Sequence, residues 1–228
     1  GDVYKRQPFF SGRIGLSGGK QIPINAGAKL SGQIGNYEIG FIQTQTRSID
    51  NIKGENFSVA RVKRPFLKQS YLGLVLTDRS TRDGDIDSLS LDQTLYGADL
   101  ELKTSEFLGD KNLQFQSFFV FHSAPMFNND LSISDLSTRG LRITYPNDII
   151  RTHVSYREFG DMYSPSLGFS RRNGFKRIQP SFSYNPRPLK LDFIRQIEIG
   201  ISYENMTDLN NRLLKKQTTL TPFNIRFE

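Results

Sequence analysis

Cysteine is absent from the 228 residues, so neither a disulfide framework nor a thiolate metal site is open to this chain. Histidine is nearly absent. His122 and His153 are the only two, too few for a multi-histidine metal centre. Tryptophan is missing as well. No stretch approaches the roughly 18 consecutive apolar residues that a transmembrane helix needs. A membrane is not thereby excluded, because strands that alternate lipid-facing and lumen-facing residues keep the mean hydropathy low. The pattern supports no long helix; Asp130–Leu136 suggests one short turn at most. Basic runs are lacking too. The 30 Lys and Arg against 23 Asp and Glu give a net charge of +7, but they are scattered and form no nucleic-acid-binding motif. Anionic lipid headgroups or a solvated surface account for them more simply.

What is present is aromatic and alternating, with 18 Phe and 9 Tyr in a chain only 36% apolar. From Ile22 to Ile34 the even positions are Ile, Ile, Ala, Ala, Leu, Gly and Ile, and the odd ones are largely polar. A period of two places these sets on opposite faces of a strand. Gly35-Asn36 then suits a two-residue type II′ hairpin loop. Tyr37, Ile39 and Phe41 continue the apolar face, with Ile42 the one exception. Leu72, Leu74 and Leu76, then Leu141 and Ile143, then Ile197, Ile199 and Ile201 repeat the pattern. It blurs at Phe57 and Val59 against Ala60 and Val62, and again at Phe118 and Val120. Pro180 interrupts a strand-like run and predicts a bulge or an edge there.

Connections alternate short and long almost to the end of the chain, and strands run about ten residues, longer than the five or six usual in soluble sheets. Short turns on one side and long loops on the other characterise outer-membrane barrels. Tyr37, Tyr145, Tyr156 and Tyr203 near strand ends suit interfacial girdles. The predicted fold is all-β: an antiparallel meander of the transmembrane β-barrel type, of about eleven strands. The aliphatic set should point outward to lipid. Lys29, Gln33, Asp99, Glu101, Arg142, His153, Arg157 and Glu198 should face the lumen.

The chain is also expected to be incomplete. Asp2–Gln7 reads DVYKRQ and resembles a translated transposon-end sequencing adaptor, so residues 1–7 are set aside and 8–228 are read as one barrel-domain fragment. Its signal peptide and upstream domains would then lie outside the sequence. Bacterial single-chain barrels have an even strand number. An odd count predicts an open sheet whose first strand, near Ile22–Ile34, does not pair with the last, near Leu213–Phe227. Unpaired edges do not persist in lipid, so such a fragment is not expected to insert alone.

Motifs of chemistry are sparse. Asp83, Asp85 and Asp87 alternate as in a calcium loop, but the twelfth position from Asp83 is Thr94 rather than glutamate. GLSGG at Gly15–Gly19 lacks the lysine of a P-loop. Ser166 in SPSLG lacks the frame of a nucleophile elbow. His153, Ser155 and Arg157 share a strand face and read as a lumen-facing polar row. No catalytic residue, metal or cofactor is expected, and a non-enzyme is favoured.

Several segments in order resemble one family of Gram-negative envelope proteins. They are FFSGRIGL, IPINAGAKLSGQIGNYEIGFIQTQT, NFSVARVKRPFLKQSYLGLVLTDRS, YGADLEL and MYSPSLGFSRRNGFKR, spanning Pro8 to Pro188. In that family a domain similar to family 9 carbohydrate-binding modules precedes a C-terminal β-barrel-like domain of unknown function. The chain departs from the family pattern at Gly12, where arginine is usual, and at Ser166, where an acid is usual. The resemblance implies an outer-membrane barrel domain contacting outer-membrane lipid, linked to carbohydrate binding or uptake through an upstream domain. It lends no catalytic residues. One alternative is a membrane-anchored carbohydrate-active hydrolase, whose two carboxylates would come from Asp99, Glu101, Glu198 and Glu204. Another is a soluble lipid-binding barrel with the aliphatic set inside.

Overall fold

A computed structural model describes residues 16–17, 20–49, 52–82, 92–124, 130–168, 172–187 and 194–227. Residues 1–7 and the Asp83–Asp87 acids lie outside the described residues. Two short strands, β1 (Leu16–Ser17) and β2 (Lys20–Gln21), pair with each other. Eleven strands follow in one sheet. They are β3 (Ile24–Ile34), β4 (Tyr37–Thr46), β5 (Glu55–Phe66), β6 (Ser70–Thr81), β7 (Gln93–Phe107) and β8 (Lys111–His122), then β9 (Ser137–Pro146), β10 (Ile150–Phe159), β11 (Phe175–Tyr184), β12 (Ile194–Asp208) and β13 (Leu213–Phe227). Each pairs antiparallel with its sequence neighbours, so the sheet is an all-β meander without a helix among the described residues. At the two ends, β3 pairs with β4 and β13 with β12, and β3 and β13 do not meet, so the sheet is open. With eleven antiparallel strands the first and last point the same way, and direct closure would make a parallel junction.

The local chemistry explains the short connections. Gly35 sits at φ 54° and Asn36 does not have positive φ, as a type II′ turn requires. Leu67 (φ 53°) and Leu108 (φ 51°) adopt left-handed backbone in the next two tight turns. In the meander the strand ends joined by 35–36, 67–69, 108–110, 147–149 and 185–193 lie at one end of the sheet, and those joined by 47–54, 82–92, 123–136, 160–174 and 209–212 at the other.

Pro180 corrects one expectation. It lies in β11, an interior strand, opposite Val154 of β10, and it makes neither an edge nor a bulge. Toward β12 the register is the same before it (Ile178↔Asn205) and after it (Ser181↔Ser202), with only the intervening pairs missing. The ladder is interrupted, not shifted, because proline removes one donor without adding a residue. Pro180→Val should restore that bond and raise stability by about 0.5–1.5 kcal/mol in a denaturant titration.

The sheet curls. Leu167, in the connection after β10, packs against Phe57 and Val59 of β5 and Ile42 of β4. On a flat sheet β5 and β10 are five ladder spacings apart, about 24 Å. Eight residues from Phe159 to Leu167 span at most roughly 29 Å fully extended. They are not extended: Tyr163 N–H donates to the Gly160 carbonyl at 3.4 Å, and Gly168 N–H to the Pro165 carbonyl at 3.2 Å. The sheet must therefore bring β5 and β10 nearer by bending around this segment, which lies on its concave face.

Candidate functional site

Register sorts the side chains into two faces, since directly paired residues share one. The concave face carries the polar groups. Arg61 grips Asp99 with both guanidinium nitrogens, at 2.5 and 2.9 Å. Glu101 is buried, accepts from Gln114 and Gln116, and pairs with Lys103 at 2.6 Å. Arg79 meets the buried Glu55 at 2.5 Å, and Glu204 accepts from Gln179 and pairs with Lys215 at 2.9 Å. The Ser181 hydroxyl lies 2.6 Å from His153 Nδ1, and the Ser183 hydroxyl donates to Glu198 at 3.3 Å.

The eight residues singled out in the sequence all project from this face. The ladder runs Gln33↔Glu38↔Lys63↔Gly73↔Asp99↔Phe118↔Gly140↔Arg157, and next to it Glu101↔Gln116↔Arg142↔Ser155. Arg157 is buried; Asp99, Arg142, His153 and Glu198 are half-buried. Lys29 and Gln33, on the end strand β3, are exposed. Of the carboxylates considered for hydrolysis, Asp99 and Glu101 sit side by side on β7, while Glu198 and Glu204 sit on β12, five strands away. Each is held by a hydroxyl, amide or cationic partner as described above. No cluster of three or more metal-ligating side chains occurs among the described residues.

The segment 160–168 is the feature that the alternation pattern did not reveal. It crosses the concave face at the long-loop end. Tyr163 is buried between the His122 ring, centroid to centroid 5.6 Å, and the Phe159 ring at 6.0 Å. Phe159 stacks on Phe175 at 5.0 Å, and Leu95 and Val120 complete this cluster. Polar bonds fix the register. Ser164 N–H donates to His122 Nε2 at 3.0 Å, while Gln93 donates to the Ser164 carbonyl at 3.0 Å and accepts from Ser166 N–H at 2.6 Å. His122 Nδ1 lies 2.9 Å from the Ser123 carbonyl and 3.1 Å from Gln93 Nε2, while Nε2 accepts from Ser164 N–H. Ser166 takes part through its backbone N–H. Ile42, Phe57, Val59, Phe118 and Val120, which blurred the alternation, are concave-face residues packed in the two clusters beneath this segment. They were the signal that could have found it.

Burial pushes the Tyr163 phenol well above its ordinary range. The buried ring thus holds its proton where an unfolded tyrosine, near 10, would lose it. With the folded value raised because the anion is disfavoured, stability is unaffected below about pH 10 and falls as pH rises above it. Tyr163→Phe should remove that alkaline loss, read as thermal midpoints from pH 8 to pH 11.

No family model, curated protein or solved structure matches the chain.

Proposed function

We propose that the chain is an outer-membrane β-barrel domain of an envelope protein, with the convex face toward lipid and the concave face toward a lumen. The observation that carries this is the convex face itself. Leu30↔Phe41↔Ala60↔Leu76↔Tyr96↔Phe121 forms one unbroken row across six strands. Leu102↔Phe115↔Ile143↔Val154 and Phe182↔Ile201↔Leu220 extend it to β13. Leu72, Leu74, Leu76, Leu141, Ile143, Ile199 and Ile201 are all exposed, and Ile197 is half-exposed. Among the described residues, exposed large hydrophobics outnumber buried ones about threefold. A monomer in water rarely exposes a contiguous apolar patch beyond a few hundred Å². In lipid the same band is the favourable surface, and burying the polar face instead costs nothing where water fills the lumen.

Strand length agrees. Strands of 10 to 15 residues reach roughly 33–50 Å at about 3.3 Å per residue. Tilted by about 45°, they cover an apolar layer of about 25 Å. That no helix is long and apolar enough to cross a membrane says nothing against strands doing so. The resemblance to the Gram-negative envelope family adds carbohydrate binding or uptake, carried by an upstream domain; that part rests on the resemblance alone. Membrane fractionation of the full-length protein tests the proposal. Recovery in the outer-membrane fraction, resistant to alkaline carbonate, is expected. A soluble product overturns it.

A further inference from the structure

We propose that the end of the sheet carrying turns 67–69, 108–110 and 147–149 docks in an anionic phospholipid headgroup layer. Leu67, Leu108 and Ile149 at the turn tips reach toward the acyl chains, and Arg64, Arg151 and Arg195 meet lipid phosphates. This deepens the membrane reading above and rests on it.

Leu67 and Leu108 are the two most exposed large hydrophobics among the described residues, at 82% and 79%. Both have left-handed backbone, with φ 53° and 51°. Glycine or asparagine suits that conformation, and a bulky side chain there is costly. Each turn thus accepts backbone strain together with an apolar side chain that the fold leaves uncovered. Water rewards neither. Ile149, 51% exposed, ends the third turn. The three tips are tied in a row. Lys68 donates to Glu106 at 2.7 Å and joins turn 67–69 to the strand leading into 108–110. Asn112 N–H donates to Asn147 at 2.8 Å, and the Asn147 amide donates to the Asn112 carbonyl at 2.9 Å, joining the second turn to the third.

The surroundings favour lipid as the occupant. Tyr37, Tyr145 and Tyr184 stand at strand ends on the convex face at this end, and the Phe107 ring lies edge-on to Tyr145 at 6.4 Å. Aromatic girdles sit at headgroup level. Phe107 is the residue before Leu108, so the tip cannot stand far beyond that level. Charge agrees. The acids in and beside these turns are engaged by neighbouring cations, Glu106 by Lys68, Asp110 by Lys111 and Asp148 by Arg187. Arg64, Arg151 and Arg195 are exposed at the same end, and among the described residues no acid pairs with them. Arg64 lies over the Tyr37 ring at 5.6 Å. The unpaired charge of this rim is therefore positive. Guanidinium groups match phosphate, and their long stems let the charge stay in the headgroup layer while the apolar tips go deeper. An anionic leaflet adds long-range attraction.

The test uses the full-length protein folded into vesicles of about three parts phosphatidylethanolamine to one part phosphatidylglycerol. A nitroxide at Leu108→Cys should collide with oxygen more than with a water-soluble nickel chelate. The same label at Asn210→Cys, in the tight turn at the opposite end, should show the reverse. Leu67→Gly combined with Leu108→Gly relieves both left-handed leucines, so for tips in water it would be neutral or stabilising. With the tips in lipid it removes two anchors, and the folding equilibrium should fall about tenfold. Exchanging phosphatidylglycerol for phosphatidylcholine should weaken folding of the unsubstituted protein by about tenfold, and that of Arg64→Gln with Arg151→Gln much less. A Leu108 label as open to nickel as the Asn210 label overturns the proposal. So does a glycine double variant that folds as well as the unsubstituted protein, or folding that ignores phosphatidylglycerol. Each of these would be seen in a protein that still fractionates with the outer membrane, whereas a soluble product sinks the membrane reading itself, so the two failures are separate observations.

Discussion

In the full-length protein, Leu74→Arg should weaken folding into lipid vesicles by about 2–4 kcal/mol, as charge does near the midplane of an outer-membrane barrel. Leu74 sits inside the apolar band, in the row Ile39↔Val62↔Leu74↔Ala98↔Phe119, and is 54% exposed. That exposure makes the experiment decisive. If the convex face met water, an arginine replacing a half-exposed leucine would change stability by no more than about 0.5 kcal/mol. Gln33→Arg on the exposed concave face of β3 is the control and should be near neutral in either case. Denaturant titration of folding into vesicles measures both variants. A neutral Leu74→Arg would mean that the band is not lipid-facing, and the open sheet would then need a protein partner to cover it.

The sheet was largely legible from residue alternation. The hairpin at Gly35-Asn36, the meander order and the count of eleven follow from period-two patterns and turn residues, which are local signals, and the failure of β3 to meet β13 follows from that odd count. Pro180 shows where a local rule overreaches. An interior strand tolerates proline at the expense of an interrupted ladder, provided both flanks keep register. The segment over the concave face was not legible, because its contacts join Leu167 to Phe57 and Gln93 to Ser166, far apart in sequence. Alternation reports which face a residue takes, not what covers that face. Yet the covering left a trace. Where water or polar groups would fill the concavity, concave positions are polar, as at Asp99, Glu101, Gln114 and Gln116. Where Tyr163 and Leu167 fill it, they turn apolar, as at Ile42, Phe57, Val59 and Val120. An apolar residue on the polar face of a barrel strand therefore locates an inward-folded loop.

That lesson has a direct test in Leu167→Ala. Leu167 is 1% exposed, and its removal from the cluster it forms with Phe57 and Val59 should cost about 2–5 kcal/mol, the range for a buried leucine truncated to alanine. The cost should fall on the 160–168 segment rather than on the sheet, since the strands keep their ladders without it. The absence of tryptophan makes the distinction measurable. Tyr163→Trp would introduce the one tryptophan of this chain, packed against Phe159 and His122, with emission shifted to the blue of an exposed indole. Adding Leu167→Ala should move that emission to the red while far-ultraviolet circular dichroism holds. Gly160→Ala should do the same from the other end of the segment. A Cβ at Gly160 would overlap the carbonyl oxygens of Ser134 and Asp135, backbone atoms that cannot rotate away, and overpacking of this kind costs about 1–3 kcal/mol. Emission that stays blue in both variants would mean that the segment is held by its hydrogen bonds to Gln93 and His122 alone. Loss of the dichroism together with the red shift would mean that the curl of the sheet depends on what it wraps.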